Sequence, residues 1–336
     1  MRPFFQIIQG ETDVTSRVGQ GNISLNINDG VGFNSDTMDY EISDEDGIIA
    51  EPRSGVDVKI RGGYLERAPR DFGTYTIDEV VLKGWPQIIA VNGQSRAAKS
   101  ASKETRSKSF KKKDAATYGQ LIESLAKRNE LKAAIDPEIA AIPLEYEAQT
   151  EETDMNFLSR MGNRLGFSFS IKDKNLIIAK RGLGRSASGL LLPEIQVIFG
   201  VNVISYSVSR KDRPRYSKVK ATWFDRDKVK RNEVDAASSS EGPEFTIRTP
   251  FKTEEEAVKA ARSKADDLKR SGATAEFVIT GDEQARAEAF VRVEGIRSLV
   301  DGDWRATTVG HSFGSGYTTT ISCELPGAEN GAEATS

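Results

Sequence analysis

Tyr75-Thr-Ile-Asp-Glu-Val-Val-Leu82 decides the fold class. Its apolar and polar side chains alternate, the period of a strand with one buried face rather than the 3.6-residue period of a helix. The same alternation recurs upstream at Ile23-Ser-Leu-Asn-Ile-Asn and Val56-Asp-Val-Lys-Ile-Arg, with Met38-Asp-Tyr-Glu-Ile-Ser as a further candidate strand. Asn28-Asp-Gly and Asp46-Gly supply turn chemistry between them. Short strands at this spacing predict a first barrel-like unit over residues 1–95.

Downstream, composition changes abruptly. From Ser95 to Lys113 eight residues are Lys or Arg and only Glu104 opposes them, so residues 96–116 are expected to be a basic flexible loop, either a solvated linker or a partner-facing arm. Residues 117–182 read as a small helix-helix-hairpin module. An amphipathic helix runs from Tyr118 to Asn129, and a second starts at Thr153 and carries Phe157, Leu158, Met161 and Leu165 at helical spacing before Gly166 ends it. Phe167-Ser-Phe-Ser-Ile, the turn Asp173-Lys-Asn and Leu176-Ile-Ile-Ala then make the hairpin.

Strand patterning returns over residues 183–326, the second barrel-like unit. It is visible at Val201 to Ser209, Ser217 to Phe224, Thr274 to Ile279, Ala289 to Val293, Trp304 to Val309 and Tyr317 to Cys323. A polar loop begins at Asp235. A helix is inserted near 253–271, where Thr253 with Glu256 three residues on forms a capping box. Residues 327–336 are expected to be a disordered tail. The fold class is therefore α+β, mostly β. Phe72-Gly-Thr-Tyr-Thr-Ile-Asp-Glu-Val is echoed by Asp301-Gly-Asp-Trp-Arg-Ala-Thr-Thr-Val: a turn, an aromatic, then strand residues, compatible with two related barrels in one chain.

Composition removes several function classes. The 336 residues carry 47 Lys and Arg against 50 Asp and Glu, so the chain as a whole is not a polyanion binder. A single cysteine, Cys323, allows no internal disulfide and suits a reducing compartment. Met1-Arg-Pro-Phe-Phe-Gln-Ile-Ile is too short an apolar stretch for a signal peptide, and no later run reaches membrane-span length.

Catalytic constellations are equally scarce. His311 is the only histidine, which leaves no second site for a His-based triad or zinc motif. A thiol dyad of His311 with Cys323 would need two residues that both sit in strand patterns, where Cys323 reads more simply as a small core residue. Gly182-Leu-Gly-Arg-Ser-Ala-Ser-Gly lacks the Lys-Ser/Thr of a P-loop and a following helix, and reads as a linker. Carboxylate pairs are too numerous for sequence to choose among them. The basic stretch holds one aromatic, Phe110, too few for base stacking. The expectation is a non-enzymatic chain with no catalytic, cofactor-binding or metal residues and no specific nucleic-acid binding. A cell-wall hydrolase and a carbohydrate- or nucleic-acid-binding module stand as alternatives.

Motif order points further. Gly84-Trp-Pro, Ser102 to Phe110, Tyr118-Gly-Gln-Leu-Ile and above all Gln149-Thr-Glu-Glu-Thr-Asp-Met-Asn-Phe-Leu-Ser-Arg-Met-Gly resemble the phage late control protein D family, the P2-like baseplate hubs of contractile tails. The last run is similar to the family pattern Gln-x-x-Glu-Ser-Asp-x-x-Phe-Leu-x-Arg-Leu-Ala, with Thr153 in place of Ser and Met161-Gly162 in place of Leu-Ala. Thr249-Pro-Phe-Lys-Thr-Glu-Glu-Glu-Ala, Gly281-Asp, Val293-Glu-Gly-Ile, Trp304 to His311 and Gly316-Tyr-Thr-Thr extend the likeness over most of residues 84–325. After Gly281 the chain reads Glu283-Gln-Ala-Arg-Ala-Glu instead of the family's Pro-Gly strand entry.

The resemblance implies two β-barrel-like tube domains per chain and a homotrimer, three chains making a pseudo-sixfold ring. Such a ring would join a hexameric tail tube to a trimeric central spike, with the tape measure and other baseplate proteins as further partners. It implies a virion location in the tail baseplate after synthesis and assembly in the bacterial host cytoplasm, acidic or neutral side chains toward the bore, and a structural role for His311 near a domain junction.

Overall fold

The structure, a computed structural model, describes residues 1–30, 36–95, 104–172, 175–180, 184, 191–210, 216–225, 230–238, 242–270 and 272–326. The first part comprises β1 (Pro3–Gln9), β2 (Thr12–Asp13), helix α1 (Val14–Val18), β3 (Ile23–Gly30), β4 (Thr37–Ser43), β5 (Asp57–Tyr64), β6 (Arg70–Lys83) and β7 (Ile88–Ser95). The middle part holds β8 (Thr105–Lys111), α2 (Tyr118–Arg128), β9 (Lys132–Ile135), the short α3 (Pro137–Ala140), β10 (Tyr146–Thr153), α4 (Asp154–Leu165), β11 (Phe167–Lys172) and β12 (Asn175–Lys180). The last part runs through β13 (Ile195–Ile198), β14 (Val203–Arg210), β15 (Lys218–Asp225), β16 (Lys230–Ala237), β17 (Glu244–Thr246), α5 (Glu254–Arg270), β18 (Ala273–Thr280), β19 (Phe290–Glu294), β20 (Gly302–Phe313) and β21 (Tyr317–Glu324).

Strand dominates, as the alternation predicts, but the two barrel-like units do not close separately. Their strands form one 13-stranded sheet in the order β14-β18-β21-β20-β3-β4-β7-β6-β5-β1-β2, with β19 and then β13 branching from β20, and the described residues contain no closed barrel. The cause is the length of β20. Its first residues, Gly302–Arg305, pair with β19, while Thr308–Phe313 pair with Leu25–Gly30 of β3. A bulge at the Ala306/Thr308 register shift re-aims the strand between these partners. Trp304, Ala306 and Val309 therefore pack in one core with Phe277, Val291 and Ile321. Phe313 packs in another with Ile7, Leu25, Tyr40, Ile60 and Ile77. The sheet curls enough to bring Phe5 of β1 to 5.6 Å from Phe313.

The sequence echo has a structural counterpart. Gly73 on β6 and Gly302 on β20 have φ of 105° and 121°, where a side chain would be strained. Two residues on, Tyr75 and Trp304 are both buried. Each strand then bulges at the same offset, between Ile77 and Glu79 in β6 and between Ala306 and Thr308 in β20. Each also pairs with the preceding strand along its first part and the following strand along its later part.

The middle part has its own core of Phe110, Leu121, Leu125, Phe157, Leu158, Met161, Phe167 and Ile178. Thr153 caps α4, its Oγ1 accepting the Asn156 N–H at 3.2 Å, and Gly166 ends the helix in the left-handed conformation at φ 79°. Half of the capping box expected at α5 is present: Thr253 Oγ1 accepts the Glu256 N–H at 3.2 Å, while the Glu256 carboxylate accepts from the Tyr118 hydroxyl at 3.3 Å. Ala257, Ala261 and Ala265 then let α5 lie close on Val219 and Ala221 of β15.

Three local expectations change. The 96–116 stretch is not loop throughout: Thr105–Lys111 is a strand paired with β10. Its charged side chains face solvent while Phe110 enters the core, so composition alone conceals the strand. Asn28-Asp-Gly lies inside β3 rather than in a turn, and Asp235-Ala-Ala completes β16 instead of opening a loop. The Asp173-Lys174 turn, residues 96–103, most of the Gly182–Gly189 stretch and the 327–336 tail lie outside the described residues.

Candidate functional site

One buried cluster of ionisable groups joins the first and last parts. β6 delivers Arg70, β3 Asp29, β20 His311 and β21 Tyr317, and all four are buried or nearly so. Arg70 Nη1 donates to the Glu283 and Ala285 carbonyls at 3.0 and 2.8 Å and stands 3.0 Å from His311 Nε2. Its Nη2 lies 3.7 Å from Asp29 Oδ2, which accepts the Ala287 N–H at 3.4 Å. The guanidinium also sits 4.5 Å over the Phe72 ring. The departure from the family pattern at Glu283–Glu288 is thus a folded loop that presents backbone carbonyls to Arg70 and buries Ala285 and Ala287. Nearby, Tyr64 donates to the Gly281 carbonyl at 3.1 Å and Arg67 pairs with Glu283 at 3.0 Å.

Burial decides the protonation of His311, whose Nε2 lies 3.0 Å from Arg70 Nη1 and whose Nδ1 lies 2.8 Å from the Tyr317 hydroxyl. Burial, reinforced by the Arg70 charge, holds the imidazole down to about 3. Burial pushes the Tyr317 hydroxyl up and the Arg70 guanidinium down, the latter opposed by Asp29. This is a neutral imidazole in a buried hydrogen-bond chain between the first and last parts of the chain.

The most specific motif of the sequence is explained by a second cluster. Gln149 Nε2 donates to Asp154 Oδ1 at 2.8 Å and to the Glu152 carbonyl at 3.0 Å. Arg128 and Asn129 at the end of α2 reach the same Asp154 carboxylate. Arg160 ties Glu152, Glu147 and the Ala148 carbonyl together. Glu147 also pairs with Arg164 and accepts from Tyr118 at 2.9 Å. Phe157, stacked 5.9 Å from Phe110, and Leu158 fill the core beneath. Gln149, Glu152, Thr153, Asp154 and Arg160 of the motif all have structural partners, so it fastens β10 and α4 to α2. It also leaves Phe110 enclosed rather than available to stack on a base.

Other candidates are not brought together. His311 pairs in register with Thr319, whereas Cys323 pairs with Ala306; four residues of strand separate the two sites, roughly 13 Å at about 3.3 Å per residue. Cys323 is buried, which pushes its thiol up. No group of His, Cys, Asp or Glu able to hold a metal occurs among the described residues. No helix there is long and apolar enough to cross a membrane. The surface does offer a cleft of about 650 Å³ between α4 and β17, lined by Arg160, Arg164, Arg248, Lys264, Phe245 and Phe251. It also offers Trp85, exposed at the β6–β7 turn. Sequence reading singled out neither the cleft nor the Arg70 and Asp29 pair, whose partners lie more than 200 residues away in the chain.

The fold and these clusters define a strand-built scaffold whose buried charges join its own parts. Residues 96–317 match the family described as phage tail baseplate hub (GPD), and the chain belongs to that family. The probable baseplate hub protein of Escherichia phage P2 is 27% identical over 97% of this chain and 94% of its own length. Among solved structures, the 43 kDa tail protein of prophage MuSo2 from Shewanella oneidensis has a TM-score of 0.73 at 17% identity, covering 96% of this chain and 98% of that one. An E. coli type VI secretion component, c3393, described as structurally similar to the T4 tail proteins gp27 and gp5, has a TM-score of 0.60 at 11% identity, covering 91% and 74%. The chain is a baseplate hub of a phage tail, and the comparisons lend no support to the hydrolase or binding-module alternatives.

Proposed function

We propose that three copies of this chain form a ring that joins a hexameric tail tube to a trimeric central spike. The observation that carries the reading is the correspondence of β5–β6–β7 with β19–β20–β21: the same positive-φ glycine, buried aromatic and bulge at the same offsets. Two related units per chain give a trimer six similar surfaces on one side and three distinct ones on the other, which is what a sixfold-to-threefold adaptor requires. Each unit acts as a tube domain and the middle module stands between them.

On this reading the hub makes and breaks no bond, and the buried clusters serve rigidity. The spike protein, the tube protein, the tape measure and other baseplate proteins are its partners. The chain is made in the host cytoplasm and ends in the virion. Its bore presents acidic or neutral side chains, so that a phosphate backbone passes without being held.

The test is native mass by light scattering across a concentration series, with and without the cognate spike protein. Three times 36.8 kDa, alone or on adding the spike, supports the ring. A chain that stays monomeric in both conditions overturns it.

A further inference from the structure

We infer that the cleft between α4 and β17 takes an extended acidic segment of a partner protein, which adds to β17 as a further strand and sets its carboxylates against Arg248 and Lys264. The inference goes beyond the ring reading and stands whether or not the ring forms.

Charge sets the chemistry of the occupant. The cleft draws cations from three elements: Arg160 and Arg164 from α4, Lys264 from α5 and Arg248 from the chain just after β17. None of its lining residues is acidic. Arg160 and Arg164 are paired with Glu147 and Glu152. Arg248 and Lys264 have no carboxylate partner among the described residues; Lys264 Nζ lies 5.4 Å from the centre of the Phe245 ring, and Arg248 is exposed. Glu244, the acid of β17, is held by Lys218 and Lys220 of β15 and does not offset them. Two uncompensated cations facing one cleft repel each other, and carboxylates placed between them relieve that repulsion.

The backbone distinguishes a peptide from other anions. β17 is the edge of its sheet, whose order is β16-β15-β17. Beyond the strand the chain keeps beside β15: the Ile247 N–H donates to the Lys220 carbonyl at 2.8 Å and the Phe251 N–H to the Thr222 carbonyl at 2.7 Å. Along a strand, the backbone groups of successive residues point to opposite sides within the sheet. Thr246, next to Ile247, therefore turns its N–H and carbonyl away from β15. Thr246 lines the cleft together with Phe245 and Ile247, residues of both faces of the strand, so the cleft opens along the sheet edge. A free edge beside a groove is read by an extended peptide through main-chain hydrogen bonds, with alternate side chains supplying specificity. A phosphate backbone offers no matching alternation of N–H and C=O.

The walls are built rather than incidental. Ser263 Oγ of α5 donates to the Asn163 carbonyl of α4 at 3.2 Å, which fixes the two helices against each other. Tyr216 holds the Phe245 ring edge-to-face at 5.3 Å. Single charges on an edge strand guard it against pairing by projecting into solvent. Here the cations converge from separate elements on a cleft that also offers Phe245 and Phe251 to an apolar side chain. The fitting segment alternates acidic and apolar residues.

The experiment measures fluorescence anisotropy of a labelled nonapeptide of alternating Glu and Val on the full chain, with an alternating Lys and Val nonapeptide and a nine-base oligothymidylate as controls. The Glu peptide is expected to bind at least tenfold tighter than either control. It should weaken at least tenfold in Arg248→Glu/Lys264→Glu and in Thr246→Pro, and measurably in Arg248→Gln, whose side chain is exposed. Proline at 246 removes an N–H that β15 does not use, so the ladder survives, and circular dichroism checks the fold. No binding of the Glu peptide, or binding that these variants leave unchanged, overturns the proposal. Loss on charge reversal but not in Thr246→Pro means capture by charge alone and overturns strand addition. Tighter binding of the oligothymidylate assigns the cleft to nucleic acid and overturns the peptide. If Arg248→Glu/Lys264→Glu weakens self-assembly of the chain in light scattering, the occupant is a second copy and the partner protein is overturned.

Discussion

Arg70 Nη1 faces His311 Nε2 at 3.0 Å across the seam between the first and last parts of the chain. A cation held against an imidazole favours the neutral ring, and burial enforces it against the opposing pull of Asp29 and the Ala285 backbone. The consequences are measurable.

Stability should fall as acid reaches the unfolded chain's histidine. Unfolded, His311 takes a proton near its ordinary 6.5; folded, it resists until about 3. Between those values the unfolded state binds more protons, so this contribution is complete above about pH 6.5 and erodes as pH falls toward 3, by at most about 1.4 kcal/mol per pH unit. His311→Gln keeps ring-like hydrogen bonding without titrating. Urea denaturation from pH 7 to 4 should show a shallower loss for this variant than for wild type, and parallel slopes would sink the assignment.

Removing Arg70 takes a cation from beside buried Asp29 and the donor from two loop carbonyls. Arg70→Met should cost about 3–5 kcal/mol in chemical denaturation, the range for breaking a buried pair from one side. Limited proteolysis should then cut in 281–288, which Arg70 holds to β6. A loss below about 1 kcal/mol would mean the junction is not a fastening.

Gly162 should reverse an ordinary rule. Alanine in a helix interior usually stabilises by up to about 1 kcal/mol over glycine, and the family pattern has Ala at this place. Here a Cβ would meet the Phe167 carbonyl oxygen at 2.6 Å and its ring at 3.2 Å. Gly162→Ala is expected to destabilise by about 1–3 kcal/mol, read from the urea midpoint; a gain would show that α4 and β11 can part easily.

Cys323 should be silent in the native protein. It is buried between Ala275 and Ala306 on neighbouring strands, and burial pushes its thiol up. A colourimetric disulfide reagent should label almost none of it in minutes at pH 8 and one equivalent after denaturation. Rapid native labelling would place β21 at an opening edge.

Periodicity and capping make most elements legible in the sequence. Thr153 and Thr253 announced their helices, and the alternation at Ile23, Val56 and Tyr317 their strands. Two features escaped. β8 has the composition of a disordered linker, because six of its seven residues face solvent and only Phe110 reports the core. The union of the two barrel-like units depends on β20 meeting β3, a pairing across nearly 300 residues that local pattern cannot encode. The structural role expected of His311 comes from the family resemblance, not from local pattern. Its partners Arg70 and Asp29 carried no signal, being ordinary charges until the fold buried them.

Strand β20 also has a mechanical meaning. Two units joined by a flexible tether would swing apart under load, the tether absorbing the displacement. Here the link is an antiparallel ladder, Thr308–Phe313 against Leu25–Gly30, within a strand anchored by Trp304 at one end and Phe313 at the other. Separating the units along the strand direction means shearing those hydrogen bonds together. Displacement of one part against the other along the strand is therefore opposed by the whole ladder at once, where a tether would simply extend.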